Sequence, residues 1–158
     1  NNIRFKKELN GGAFLDAGVY ISKTACLLSD TKEAKVQSHI NYLKGYEVDI
    51  YGSCLISSDN NVSILGSWGF DNNYSCSWEM WFSKANLKAN RIFTAKKDFS
   101  AKVEVVDSSQ RVISEFMDDQ YYNNVNEFYL TFFSNLKMQK HYTANLLQAK
   151  LMSKIYQS

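Results

Sequence analysis

Two histidines, His39 and His141, and three cysteines, Cys26, Cys54 and Cys76, are the side chains of this 158-residue chain best suited to metal binding or nucleophilic attack. Their spacing supports neither. Metal sites built from His-x-x-x-His or Cys-x-x-Cys pairs need spacings that do not occur here. A thiolate nucleophile would pair Cys26 with His39 or His141, but an unpaired cysteine is first of all a small buried hydrophobe. Glu115, Asp118 and Asp119 offer carboxylates for acid–base work, although their place at the end of an apolar stretch reads as a charged turn. Trp68, Trp78 and Trp81 read as core or interface anchors before they read as a sugar platform. Asn10-Gly11-Gly12 is a turn and not a phosphate cradle. No catalytic residue, cofactor or metal ligand follows, and the chain reads as a binding protein without enzymatic activity.

The elements that would carry such a surface follow from a period of two. In Tyr46 to Ser57 the residues Tyr46, Val48, Ile50, Cys54 and Ile56 share one phase, with Glu47, Asp49 and Tyr51 opposite. Such alternation marks a half-buried strand. Val62, Ile64, Gly66, Trp68 and Phe70 repeat the pattern, as do Cys76, Trp78, Met80 and Phe82 against Ser77, Glu79 and Trp81. The turns between them hold Asp-Asn-Asn, whose side chains bond their own backbone and tolerate left-handed geometry. Residues 45–83 are therefore expected to form a three-stranded meander. Further strands are expected at 18–28, 36–43, 91–96, 99–106, 111–117 and 127–134, with a short hairpin loop at Asp107–Gln110 and one helical turn at 29–34. The stretch from Tyr142 to Ile155 fits helix or strand. Many short strands between turn signals predict a mainly β fold, a two-sheet antiparallel β-sandwich with minor helix, as a single domain over 1–158.

In that meander Cys54 and Cys76 would lie about 9–10 Å apart, two strand spacings, whereas a disulfide needs Cα atoms within about 7 Å. A disulfide of Cys26 with Cys54 or Cys76 is expected instead, leaving one thiol over.

The formal charge of +2 conceals segregation along the chain. Residues 1–44 carry +3, 45–83 carry −5, 84–102 carry +5, 103–136 carry −5 and 137–158 carry +4. Acids and large aromatics share the outward phase of the expected strands, which suits a surface that selects basic partners. Glu115 and Met117 continue this character. Nucleic acid would be repelled there, and Lys84 to Lys102 reads as a solvated basic edge strand. No apolar run approaches the length of a membrane span.

Lysine outnumbers arginine by 15 to 3, proline is absent, and Asn, Lys, Ile, Tyr and Phe supply 59 residues. That bias is expected of an AT-rich genome, such as that of a large DNA virus or a low-GC bacterium. The chain starts without Met, which reads as a mature form or an excised domain. Two acceptor patterns for N-glycosylation occur, at Asn61 and Asn73.

The segments Gly18–Leu28, Lys44–Ser58 and Gly66-Ser-Trp-Gly-Phe70 to Ser-Trp-Glu-Met-Trp-Phe82 resemble the poxvirus SECRET domain, the chemokine-binding module of secreted viral tumour-necrosis-factor receptor decoys. The resemblance implies a secreted, monomeric β-sandwich that sequesters host chemokines. No binding residue carries over by motif. Phase and charge alone assign the partner surface to Glu47, Asp49, Tyr51, Glu79, Trp81 and Glu104. The alternative is a bacterial immunity or inhibitor protein that blocks a secreted toxin, presenting the same charged face to an enzyme.

Overall fold

A computed structural model describes residues 2–93 and 95–158. Its elements, in chain order, are two 3-10 turns (Ile3–Phe5 and Lys7–Leu9), a π-helical turn (Phe14–Gly18), α1 (Val19–Leu28), β1 (Lys35–Asn41), β2 (Tyr51–Ser57) and β3 (Ser63–Gly69). They continue with β4 (Ser77–Trp81), β5 (Ala85–Asn90), β6 (Ala101–Asp107), β7 (Arg111–Phe116), α2 (Gln120–Phe132) and α3 (Asn135–Gln157). The strands form two sheets, β1-β2-β3 and β4-β5-β6-β7, and every strand pair is antiparallel. The chain divides into two compact units, Asn1–Asn72 with Leu136–Ser158, and Asn73–Asn135.

In the first unit the alternation read from sequence holds on β2, where Gly52, Cys54 and Ile56 are buried, Tyr51, Ser53 and Ser57 are exposed and Leu55 is half-buried. Cys54, Ile56 and Trp68 form the core with Ala25 of α1 and with Leu151 and Ile155 of α3. The last two are four apart and so share one helix face. The β2–β3 connection closes on the Ser58 amide, which donates to the Val62 carbonyl at 2.9 Å. Asn61 takes the left-handed conformation there (φ 61°), as the turn chemistry predicts.

In the second unit β4 to β7 pair in sequence order. Asp107 ends β6 and its Oδ1 accepts the amides of Ser109 at 2.7 Å and Gln110 at 2.8 Å, which fixes the expected hairpin loop. These bonds hold the Asp107 carboxyl below its usual pKa. Asp119 caps α2 by accepting the Tyr122 amide at 3.0 Å.

Several expectations are corrected. Residues 18–28 and 127–134 are helical, and the C-terminal stretch is helix over its length. Residues 45–83 are not one meander, because β4 pairs with β5 in the other sheet. The run 29–34 is no helical turn, and β5, inside the block read as a basic edge, is an interior strand. The stretch 91–96 includes Thr94, outside the described residues; its described neighbours form no strand. The β-sandwich expectation therefore fails, and the architecture is α+β, two antiparallel sheets with three helices among the described residues.

Candidate active site

Polar groups from distant segments of the first unit converge on the entry to the helix Ala13–Leu28, whose first turn is π-helical. Four successive amides there are met by acceptors from outside the helix. Gly11 donates to the Lys6 carbonyl (2.9 Å) and Gly12 to the Arg4 carbonyl (2.8 Å). Ala13 donates to the Asp49 carbonyl (2.9 Å), and Phe14 to Asp49 Oδ2 (2.7 Å). Helix starts leave such amides without internal partners, so tertiary contacts decide that this helix starts here. Asp49 is fully buried and also accepts the Trp68 indole N–H at 3.3 Å. Gly12 sits at φ +127°, and a Cβ there would lie 2.3 Å from Asp49 Oδ1. Only glycine fits.

The π-helical turn spans Phe14–Gly18. Its extra residue per turn frees backbone groups, and such bulges concentrate at functional sites. The Val19 carbonyl accepts both the Ser22 hydroxyl (2.8 Å) and the Gln148 amide (3.2 Å). Phe14 anchors the inner side, with its ring 5.1 Å from that of Trp68 and 5.5 Å from that of Tyr156. Asp16 and Tyr20, four residues apart, lie about one turn apart on the outer side, and both are exposed. Arg4 Nε donates to Asp16 Oδ2 at 2.9 Å, and the Thr24 hydroxyl donates to the Tyr20 carbonyl at 2.8 Å. A phenol, a carboxylate and a guanidinium thus share one exposed ridge, a set able to donate a proton and to hold hydroxyl groups.

A depression of about 540 Å³ is lined by the polar groups of Lys7, Asn10, Tyr42, Glu47 and Tyr156 together with Gly11, Val48 and Leu15, the last directly preceding Asp16 in the chain. Burial, and secondly the Tyr42 hydroxyl, pushes the Tyr156 phenol up to about 12. Among the described residues no three His, Cys, Asp or Glu side chains are grouped to hold a metal, and no helix is long and apolar enough to cross a membrane.

The six residues assigned to a partner surface do not share one sheet face. Glu47 and Asp49 precede β2, and the burial of Asp49 withdraws it from any partner. Tyr51 opens β2, half-exposed. Glu79 and Trp81 on β4 and Glu104 on β6 do share a face of the four-stranded sheet, but that face is mixed in charge. Lys88 stands opposite both Glu79 and Glu104 in the ladder, Arg111 Nε lies 2.7 Å from Glu104, and Lys102 Nζ lies 3.0 Å from Glu115. Strand pairing thus interleaves the charge blocks that are separate along the chain. All three cysteines are free, so the expected disulfide of Cys26 with Cys54 or Cys76 is not formed. The Cys26 thiol lies 3.3 Å from the Thr31 hydroxyl, and Cys54 is enclosed in the core, which pushes its thiol up to about 11.

No protein-family model matches the chain. Two curated relatives are both named dTDP-3,4-didehydro-2,6-dideoxy-alpha-D-glucose 3-reductase. The one from Saccharopolyspora spinosa is 32% identical over 106 residues, which cover 66% of this chain and 31% of that protein. The one from Actinomadura kijaniata is 26% identical over 104 residues, with the same 66% and 31% coverage. Among solved structures, a 3-ketoreductase from Actinomadura kijaniata in complex with NADP and TDP-benzene superimposes with TM-score 0.87 at 20% identity. That match covers 98% of this chain and 48% of the ketoreductase. An NAD-binding protein from Listeria innocua matches with TM-score 0.59 at 18% identity, over 99% of this chain and 48% of that one.

The chain is similar to sugar-nucleotide reductases. It spans about half the length of these solved structures, and the aligned part is about a third of each curated relative. These relatives overturn the resemblance to the poxvirus SECRET domain and the fold it implied. They equally overturn capture of host chemokines, the alternative of a toxin-blocking immunity protein, and the expectation that no enzymatic activity is involved. Asp16 and Tyr20 escaped sequence reasoning because Gly18–Leu28, rich in apolar and β-branched residues, read as strand. The available signal was Gly11-Gly12 directly before an apolar run carrying an acid and a phenol four residues apart.

Proposed function

We propose that this chain forms the substrate-facing part of an NADP-dependent 3-ketoreductase that acts on a dTDP-linked keto sugar. The observation that carries this reading is the 32% identity to a dTDP-sugar 3-reductase over 106 residues. The likeness to the ketoreductase complexed with NADP and TDP-benzene supports it.

The residues present do not fit the dinucleotide itself. Its usual cradle is a Gly-rich loop between a strand and a helix of a parallel sheet. The sequence has no such loop, and among the described residues every strand pair is antiparallel. NADP is then held by a part of the protein other than this one.

What this chain contributes is the acid side of the chemistry. A ketone becomes an alcohol only when its oxygen gains a proton, and Tyr20 is the exposed phenol on the ridge of polar groups. Arg4 and Asp16 beside it, and Tyr42, Glu47 and Tyr156 in the depression that Leu15 also lines, supply donors and acceptors for sugar hydroxyls.

The test is turnover of a dTDP-3-keto sugar by the full-length protein with NADPH, followed by nicotinamide absorbance. Tyr20→Phe is expected to lower kcat by about a hundredfold, the usual scale for loss of a positioned proton donor, while dTDP affinity stays within about twofold. Absence of turnover with dTDP-keto sugars overturns the reading.

A further inference from the structure

A buried carboxylate at the start of a helix that carries a candidate acid calls for an account. The structure assigns to Asp49 the role of a positioning residue, which holds Asp16 and Tyr20 in register by clamping the Gly12–Phe14 backbone. This rests on the reading of Tyr20 as proton donor.

Asp49 reaches the helix start at three points. Its carbonyl accepts the Ala13 amide (2.9 Å), its Oδ2 accepts the Phe14 amide (2.7 Å), and its Oδ1 packs where a Gly12 side chain would have to be. Oδ1 is itself buried without a hydrogen-bond partner among the described residues. Leaving an acceptor so placed is unfavourable, and the positive end of the helix it faces offsets that by favouring negative charge. Trp68, donating to Oδ2 at 3.3 Å, fixes the carboxylate from the sheet side. The same indole packs on the Phe14 ring. Asp49 and Trp68 therefore grip Phe14 by backbone and side chain together.

From Phe14 the linkage runs directly into the π-helical turn. Asp16 is two residues on, and the Val19 amide bonds the Phe14 carbonyl, so a shift at Phe14 moves the turn on which Tyr20 stands. Asp49 is itself fully buried, and among the described residues its hydrogen bonds go to Ala13, Phe14 and Trp68 and not to Asp16 or Tyr20. It acts through the helix.

The experiment is a double-mutant cycle in the full-length protein, with NADPH and a dTDP-3-keto sugar. Asp49→Asn keeps the size of the side chain and one acceptor but removes its charge. It is expected to lower kcat about tenfold, the scale of a small misplacement of a reacting group, with KM within about twofold. Combined with Tyr20→Phe, it is expected to add less than about twofold, because residues that act through one another are not additive. Full additivity, or an unchanged kcat in Asp49→Asn alone, overturns the assignment. Should Tyr20→Phe leave kcat untouched, the reading of Tyr20 has failed, and amide hydrogen exchange tests the clamp separately. Faster exchange confined to the segment from Ala13 to Tyr20 in Asp49→Asn supports the clamp, and unchanged exchange there overturns it. Asp49→Ala, the more disruptive variant, is checked by circular dichroism before either measurement, with Asp49→Asn as the deciding variant where Asp49→Ala fails to fold.

Discussion

In the unit formed by Asn1–Asn72 and Leu136–Ser158, Phe14, Ile56, Leu151 and Ile155 are fully enclosed, whereas in the unit Asn73–Asn135 Ala89 alone among the described residues is buried. The second unit has no shortage of apolar side chains. Trp81 is 79% exposed and Phe128 74%, with Phe132 and Phe133 close behind. Its order comes from a continuous four-stranded ladder, to which the exposed ion pairs across one sheet face add little. The first unit instead packs a sheet against two helices, and the helix that carries the candidate site contributes Ala13, Phe14 and Ala25 to that core. Positioned chemistry needs side chains whose supports are themselves locked. The contrast explains why Asp49, Trp68 and Phe14 form one interlocked group while the aromatics of α2 do not.

The contrast is sharpest in stability. Ile56→Ala is expected to cost about 2–5 kcal/mol, the range for truncating an enclosed aliphatic residue. Phe128→Ala is expected to stay within about 0.5 kcal/mol, as exposed substitutions do. Urea unfolding of both variants checks this, and equal costs would abolish the distinction between the units.

A smaller effect separates the units by pH. Burial raises the Cys54 thiol from 9.0 to about 11, so the folded state keeps its proton where the unfolded chain has lost it. Stability from this source is complete below about pH 9 and is lost as pH rises toward about 11. Tyr156, pushed to about 12, extends the loss to higher pH. Urea midpoints measured from pH 8 to 11 are expected to fall, and to fall less steeply in Cys54→Ala.

The smallest effect belongs to the charged face of the second unit. Arg111→Ala is expected to cost less than about 1 kcal/mol, because exposed ion pairs are weak and screened by salt. A cost that persists in high salt would show that this face contributes more than its ladder.

Local signals served well where an element needs only itself. Alternation located β2 and β3 and the turn between them, and Asp107-Ser108-Ser109-Gln110 located its hairpin, because those bonds lie within a few residues. Alternation also located β4, yet it says nothing about which strand lies beside it, and the partner is β5. Asp118 and Asp119 read as a charged turn, when the Asp119 carboxylate in fact caps α2. The run of Phe, Tyr and Leu that follows looked like strand because aromatic residues favour sheets on average. The charge blocks misled for the same reason: separation along the chain is not separation in space once Lys88, Lys102 and Arg111 meet acids across strands.

The residues by themselves determined the period of the strands, the turn chemistry at Asn61 and Asp107, and the lack of a phosphate loop or metal spacing. All of these depend on contacts a few positions apart. Only the tertiary structure decided that Ala13–Leu28 is a helix and that Asp49 is buried beneath it. The acceptors that satisfy its first amides come from Arg4, Lys6 and Asp49, and a segment whose local preference is ambiguous takes the form in which distant groups meet its backbone bonds.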